Sequence, residues 1–369
     1  MDLADGPGRI LRYEQSRWSE MSRSGIVRRG VRRGGSGVRG GILGPAGILV
    51  AAALLGTACS ASATHSSLSA DASTPAATSF ARMVDIGQGR KMYLECHGSG
   101  SPTVILVPGL VAAADTWRYV RGSAGAMKAS SSAVYPGVGR FTRVCSYDRP
   151  GTAREGGKFT PSTSVPQPTT PRGDVADLHT LLSTAKVPGP YVLVGWSAGG
   201  PIVRIYAGEY PHDVSGLVLV DAETEFLQSR LTPGQFATFL ALERKDDKKR
   251  IAQWKDVERQ DPVTVFRQVR AAPPVPKVPV VVLTGDEFDP RAFRARLPAG
   301  APADYPQVFW RAQLASQGDL ARTFPGARHV TKTRSDHNIQ NNQPQLVIDA
   351  VREVVEKARR QESGRPSAS

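Results

Sequence analysis

Cysteine is scarce in this chain, with three in 369 residues. That excludes a small disulfide-dense scaffold. A chain of this length buries enough apolar surface to fold without a staple or a structural metal. No Cys/His cluster has metal-ligand spacing and no dinucleotide glycine signature is present, so neither a metal nor another cofactor is expected. Aromatic residues make up 7%, and beyond the first 59 residues no basic stretch is interleaved with them. A nucleic-acid partner is therefore not expected, despite a formal net charge of +14. The milder implication of that charge is attraction to anionic lipid or cell wall. Long apolar runs are absent save one near the N-terminus, which excludes a polytopic membrane protein. No internal repeat is present. At 40% hydrophobic and 22% charged residues the composition is that of a globular protein, not a disordered one.

The one apolar run spans residues 41–58 (GILGPAGILVAAALLGTA) and follows Arg28, Arg29, Arg32, Arg33 and Arg39. The first 59 residues hold nine arginines against four acids. A basic segment before an uncharged one suits an export signal: charge sets orientation and the apolar run partitions into the bilayer. Gly44, Pro45 and Gly47 interrupt the run, which argues against a permanent spanning helix. Gly56-Thr57-Ala58-Cys59-Ser60 resembles the lipobox of bacterial lipoproteins, in which the cysteine is lipidated, with Gly56 in place of the usual leucine. Ala61-Ser62-Ala63 offers ordinary signal-peptidase cleavage instead. Met21 is an alternative start. The expectation is a secreted or lipid-anchored extracellular protein, touching membrane only through that anchor.

Beyond a Ser/Ala/Thr-rich tether, the body alternates two periodicities. Residues 82–86 and 90–96 read as a hairpin across Gly87-Gln88-Gly89. Residues 103–107, 143–147, 191–194, 217–220 and 278–284 are apolar, β-branched runs suited to strands covered on both faces. Helical spacing marks residues 175–182, 202–210, 305–320 and 345–357. Such alternation argues for a mostly parallel, doubly wound sheet. Residues 155–172, rich in Pro, Ser and Thr, read as a mobile loop, and the charged segment 222–272 as a helical cap over the active face. The expected divisions are therefore 1–59 extension and signal, 60–80 tether, 81–221 first core part, 222–272 cap, 273–360 second core part and 361–369 disordered tail.

Gly195-Trp196-Ser197-Ala198-Gly199 matches G-x-S-x-G directly after a strand, with Pro201 in the first turn of the following helix. A sharp strand-to-helix turn needs small residues two places either side of the nucleophile, and it lifts the serine above the sheet. Together with TVILVPGL (103–110), Trp117, RVCSYDRPG (143–151), DVADLHTLL (174–182), GLVLVDA (216–222), VVVLTGDEFD (280–289) and SDHNIQNNQPQLVIDAVREVV (335–355), this order of motifs resembles the α/β-hydrolase superfamily over about residues 82–357, particularly its secreted bacterial members.

The resemblance implies an α/β-hydrolase fold: a mostly parallel eight-stranded sheet, helices on both faces and a small helical cap. It also implies a Ser–acid–His triad in that chain order, with Ser197 as nucleophile, Asp289 as acid and His337 as base. Asp286 is the second choice of acid, and Asp221 or Glu223, after the preceding strand, the family's less common alternative. His337 matches the family's Ser-Gly-His loop with Asp336 replacing the glycine, a carboxylate able to raise the histidine's pKa. Backbone N–H groups of Leu110 and Ala198 are the expected oxyanion donors. The family's strand order makes the second strand a neighbour of the fourth, which implies a Cys96–Cys145 disulfide in an exported protein. The expected activity is cleavage of a small acyl substrate, most simply a carboxylic ester, through an acyl-enzyme. An acyltransferase using the same residues and a non-catalytic surface-binding protein on this scaffold are the alternatives.

Overall fold

The computed structural model describes residues 79–123 and 125–363. The export segment, Cys59 and residues 60–78 lie outside the described residues.

The first half of the body comprises β1 (Phe80–Gly87), β2 (Arg90–His97), β3 (Thr103–Val107), a small ribbon of β4 (Tyr119–Arg121) and β5 (Met127–Ala129), α1 (Val134–Val138) and β6 (Val144–Tyr147). Next come α2 (Pro171–Thr184), β7 (Tyr191–Trp196), α3 (Gly199–Glu209) and β8 (Val214–Val220). A first helical excursion, α4 (Phe226–Ser229), α5 (Pro233–Gln253) and α6 (Pro262–Arg270), precedes β9 (Val280–Leu283). A second, α7 (Pro290–Arg296) and α8 (Tyr305–Arg322), precedes β10 (Arg328–Val330). The chain closes with α9 (Ile339–Asn342) and α10 (Pro344–Ser363).

Eight strands form one sheet in the order β1-β2-β6-β3-β7-β8-β9-β10. From β6 to β10 all pairs are parallel, while β2 runs antiparallel to both β1 and β6. The central strands alternate strictly between two cores, as a period of two requires. Ile105, Leu193, Leu217, Leu219 and Val282 pack on the side of α2 and α3. Val104, Leu106, Val194, Val218 and Leu283 pack on the side of α1 and α10. All ten side chains are 0% exposed, each worth roughly 1.5–3 kcal/mol of burial. An aspartate at any of them would have no acceptable environment.

Cys96 lies opposite Cys145 in the β2–β6 register, and their sulfurs are bonded at 2.02 Å. Four helices share one start signal, a Thr or Asp cap followed by proline at the first helical position. Thr170, Thr232, Asp261 and Asp289 each accept a backbone N–H of the turn that they open.

The cap is larger than residues 222–272. Leu227, Phe239, Phe266, Phe293 and Phe309 share a third apolar cluster, so α7 and α8, inserted after the next strand, join α4–α6 in one unit. Arg296 of α7 meets Asp246 of α5 at 2.6 Å, both buried. The segment read as a mobile loop is fastened to the core. Thr160 Oγ1 donates to Asp148 Oδ2 at 2.9 Å, Ser162 Oγ to Asp148 O at 2.8 Å, and Phe159 packs edge-on against Trp254.

Candidate active site

Strand ends on one edge of a parallel sheet gather loops that are distant in sequence. Here β3, β7, β8 and β9 deliver Leu110, Ser197, Asp221 and the turn beginning at Gly285 to the same edge, and the loop after β10 brings His337. Leu110, Ser197, Ala198, Asp221 and His337 line one cavity of about 70 Å³ beneath the cap.

Ser197 has φ +53°, a left-handed conformation that costs a non-glycine residue of order 1–3 kcal/mol. The elbow is held by the Ser197 N–H donating to Val220 O at 3.2 Å and by Ser197 O accepting from Gly200 and Glu223 N–H, both at 2.9 Å. Glycine is required on each side. A Cβ at Gly195 would stand 2.6 Å from Gly199 O, and one at Gly199 2.4 Å from Val107 O. The helix α3 starts two residues after Ser197, so its positive end lies beneath the hydroxyl.

His337 Nδ1 is 2.6 Å from Asp221 Oδ2. The other Asp221 oxygen accepts Gly285 N–H at 3.0 Å, and the Asp221 N–H donates to Leu283 O at 2.7 Å. This corrects the expected acid: the carboxylate on the histidine is Asp221, at the tip of β8, and not Asp289. Asp289 Oδ1 instead accepts the Arg291 and Ala292 N–H groups at 2.8 and 3.1 Å, as the cap of α7. Asp286 is also used elsewhere, its Oδ1 accepting Ser335 N–H at 3.2 Å and so fastening the histidine loop. Glu223 lines the cavity but is not the partner of Nδ1. His329, the other late histidine, is bonded to Thr284 Oγ1 at 2.8 Å. Burial lowers its pKa.

Sequence reading missed a second hold on His337. The buried Trp196 donates its indole N–H to His337 O at 2.9 Å, and the two rings lie 5.5 Å apart. Its place inside G-x-S-x-G was the available signal. Asp336, beside the histidine, turns its carboxylate to Asn338 N–H and Asn342 Nδ2, both at 2.8 Å. Burial raises its pKa above the ordinary carboxylate range. It shapes the loop.

The turn after β3 lies directly on the serine: a Cβ at Gly109 would sit 3.0 Å from Ser197 Cβ. Neither Leu110 N–H nor Ala198 N–H has an acceptor among the described residues. Two N–H groups bordering a serine, a histidine and a buried carboxylate can polarise a carbonyl and move a proton. Polar Glu243, Gln260 and Gln313 and apolar Leu227, Phe239 and Phe309 complete the walls. Among the described residues no group of three or more side chains could hold a metal ion, and no helix is long and apolar enough to cross a membrane.

Comparison with known proteins agrees with this architecture. The family described as alpha/beta hydrolase fold matches residues 102–317. An uncharacterised protein of Schizosaccharomyces pombe is 32% identical over 161 residues, 40% of this chain and 28% of its own length. The uncharacterised protein YqjL of Bacillus subtilis is 29% identical over 124 residues, 34% of this chain and 41% of its own. The chain thus spans less than half the length of either relative. A thermophilic esterase from Thermogutta terrifontis superposes with a TM-score of 0.42 at 20% identity, covering 76% of this chain and 99% of that one. With more than half of its length matched by that family, and the sheet order and strand-end site in place, the chain belongs to the α/β-hydrolases.

Proposed function

We propose that this α/β-hydrolase is a serine hydrolase that cleaves carboxylic esters through an acyl-enzyme on Ser197. The observation that carries the reading is His337 Nδ1 held by Asp221 at 2.6 Å in the cavity that Ser197 lines. His337 Nε2 takes the hydroxyl proton as Ser197 Oγ attacks the ester carbonyl carbon. Asp221 keeps the proton of the ring on Nδ1 and stabilises the imidazolium. Leu110 and Ala198 N–H groups receive the oxyanion, aided by the positive end of α3. His337 returns the proton to the leaving alkoxide, then activates water, which releases the acid and frees Ser197. We also propose export, with the mature chain beginning at lipidated Cys59 or near Ala63, supported by the arginine-rich segment before residues 41–58.

A fluorophosphonate probe should label the protein at Ser197, and Ser197→Ala should abolish both labelling and p-nitrophenyl ester turnover. An unlabelled, inactive wild type would leave a binding protein on a hydrolase scaffold. Product analysis with added alcohols separates hydrolysis from acyl transfer. Intact mass of the native protein still carrying residues 1–58 would overturn export.

A further inference from the structure

The oxyanion turn 108–111 is gripped from behind by two fully buried charges. Arg149, two residues beyond β6, donates from Nη1 to Pro108 O at 2.9 Å and from Nη2 to Gly109 O at 2.6 Å. Glu258, from the segment between α5 and α6, receives Arg149 Nε at 2.5 Å on Oε1. Its Oε2 receives Arg149 Nη2 at 3.1 Å and the Val111 N–H at 2.6 Å. The side chains are 1% and 0% exposed. In a trans peptide the C=O and N–H point opposite ways. A Gly109 carbonyl turned to Arg149 therefore turns the Leu110 N–H away from it, and Leu110 borders the Ser197 cavity. Val111 has φ +65°, a strained state for a β-branched residue. It is held between Glu258 and the Ala153 N–H, which donates to Val111 O at 2.7 Å.

The cap segment is itself anchored. Glu258 N–H donates to Gly151 O at 2.9 Å, Thr169 N–H to Arg259 O at 3.0 Å, and Gln260 Nε2 to Asp174 Oδ2 at 2.6 Å. An ion pair this deep is costly to desolvate, and a well-packed apolar pair would serve stability as well. Its fork geometry, matching two carbonyls and a carboxylate at once, is what an apolar pair cannot reproduce.

We propose that Arg149 and Glu258 are positioning residues for the oxyanion hole. The cap supplies one of them, so the hole is complete only while segment 254–260 is docked. The inference rests on the esterase reading above. Its test compares wild type with Glu258→Ala, Glu258→Gln and Arg149→Lys. The measurements are p-nitrophenyl ester kinetics, the rate of Ser197 phosphonylation by a fluorophosphonate, whose phosphoryl oxygen enters the same hole, and thermal unfolding. Expected is a fall of about 100-fold in kcat and phosphonylation together, the low end of what losing one oxyanion donor costs. KM should stay within about threefold, the variants should unfold cooperatively, and Arg149→Lys should be slowed like the glutamate variants because lysine lacks the fork. A folded Glu258→Ala with wild-type kcat, or with only KM raised, overturns the proposal. Should Glu258→Ala fail to fold, Glu258→Gln decides on the same criteria. An active, labelled wild type with unaltered variants sinks this proposal alone, whereas an unlabelled, inactive wild type sinks the esterase reading and this one with it.

Discussion

Replacing Asp221 by Asn exchanges one oxygen for an amine in a site where both oxygens are in use. Oδ1 accepts Gly285 N–H at 3.0 Å and Oδ2 faces His337 Nδ1 at 2.6 Å. An amide has one acceptor, so one of the two N–H groups must lose its partner. If the oxygen stays on Gly285, the NH₂ faces Nδ1 and forces the proton of the ring onto Nε2, where it cannot take the proton of Ser197. If the oxygen turns to His337, the buried Gly285 N–H is opposed by a donor, costing about 1–3 kcal/mol. The first arrangement leaves the fold cheaper and the chemistry blocked. We expect kcat to fall by about 10³–10⁴-fold, or ~4–5.5 kcal/mol at about 1.36 kcal/mol per decade. Unfolding should change by no more than about 3 kcal/mol. Steady-state ester hydrolysis with denaturant unfolding reads both. The control is Asp289→Ala, which should remove about 1 kcal/mol of helix capping and leave kcat alone. A kcat for Asp221→Asn within tenfold of wild type, or a larger loss for the Asp289 variant, would refute the assignment.

Three further outcomes follow from the same structure. The Cys96–Cys145 bond closes a loop across 49 residues. Reduction should therefore cost about 4 kcal/mol by the chain-entropy estimate, and an unreduced, unfolded variant lacking Cys59 should titrate no thiol. The cavity of about 70 Å³ is small beside the roughly 300–1,000 Å³ of sites that take drug-sized ligands. Acetyl to butyryl esters should thus exceed octanoyl esters by at least about tenfold in kcat/KM, with a flat chain-length profile counting against this. Burial pushes Asp174 up to about 8, above its unfolded value of about 3.9. The folded state then holds a proton that the unfolded state lacks, so this group's contribution is full below about pH 4 and lost as pH rises to about 8. Asp174→Asn, which keeps an acceptor for Gln260, should gain thermal stability over wild type between those limits, and parallel Tm–pH curves would refute it.

The sheet was readable because its strands are covered on both faces: TVILV, YVLV and VVVL are apolar beyond the leading Thr103 and Tyr191, with nothing to blur the pattern. Ser197 was readable because the elbow demands glycines at fixed offsets. The acid was misread because position after a strand is a weaker signal than local helix chemistry. Asp289-Pro290 is the same cap–proline start as Thr170-Pro171, Thr232-Pro233 and Asp261-Pro262, and that physics claimed the carboxylate. Asp221 had only its place at the end of GLVLVD in its favour. Glu258 was invisible, since one glutamate among the many charges of segment 222–272 has no period or motif to mark it. Its partner Arg149 sat in RVCSYDRPG without any local reason to point at the turn after β3.

The third apolar cluster has a bearing on engineering. It is stitched from two excursions of the chain, α4–α6 after β8 and α7–α8 after β9. Moving residues 222–272 alone onto another scaffold would carry Phe239 and Phe266 but leave Phe293 and Phe309 behind. The graft would present an uncovered aromatic face to water and invite aggregation. These helices are therefore not a cassette that one cut can transplant; both excursions have to travel and be redesigned as a pair.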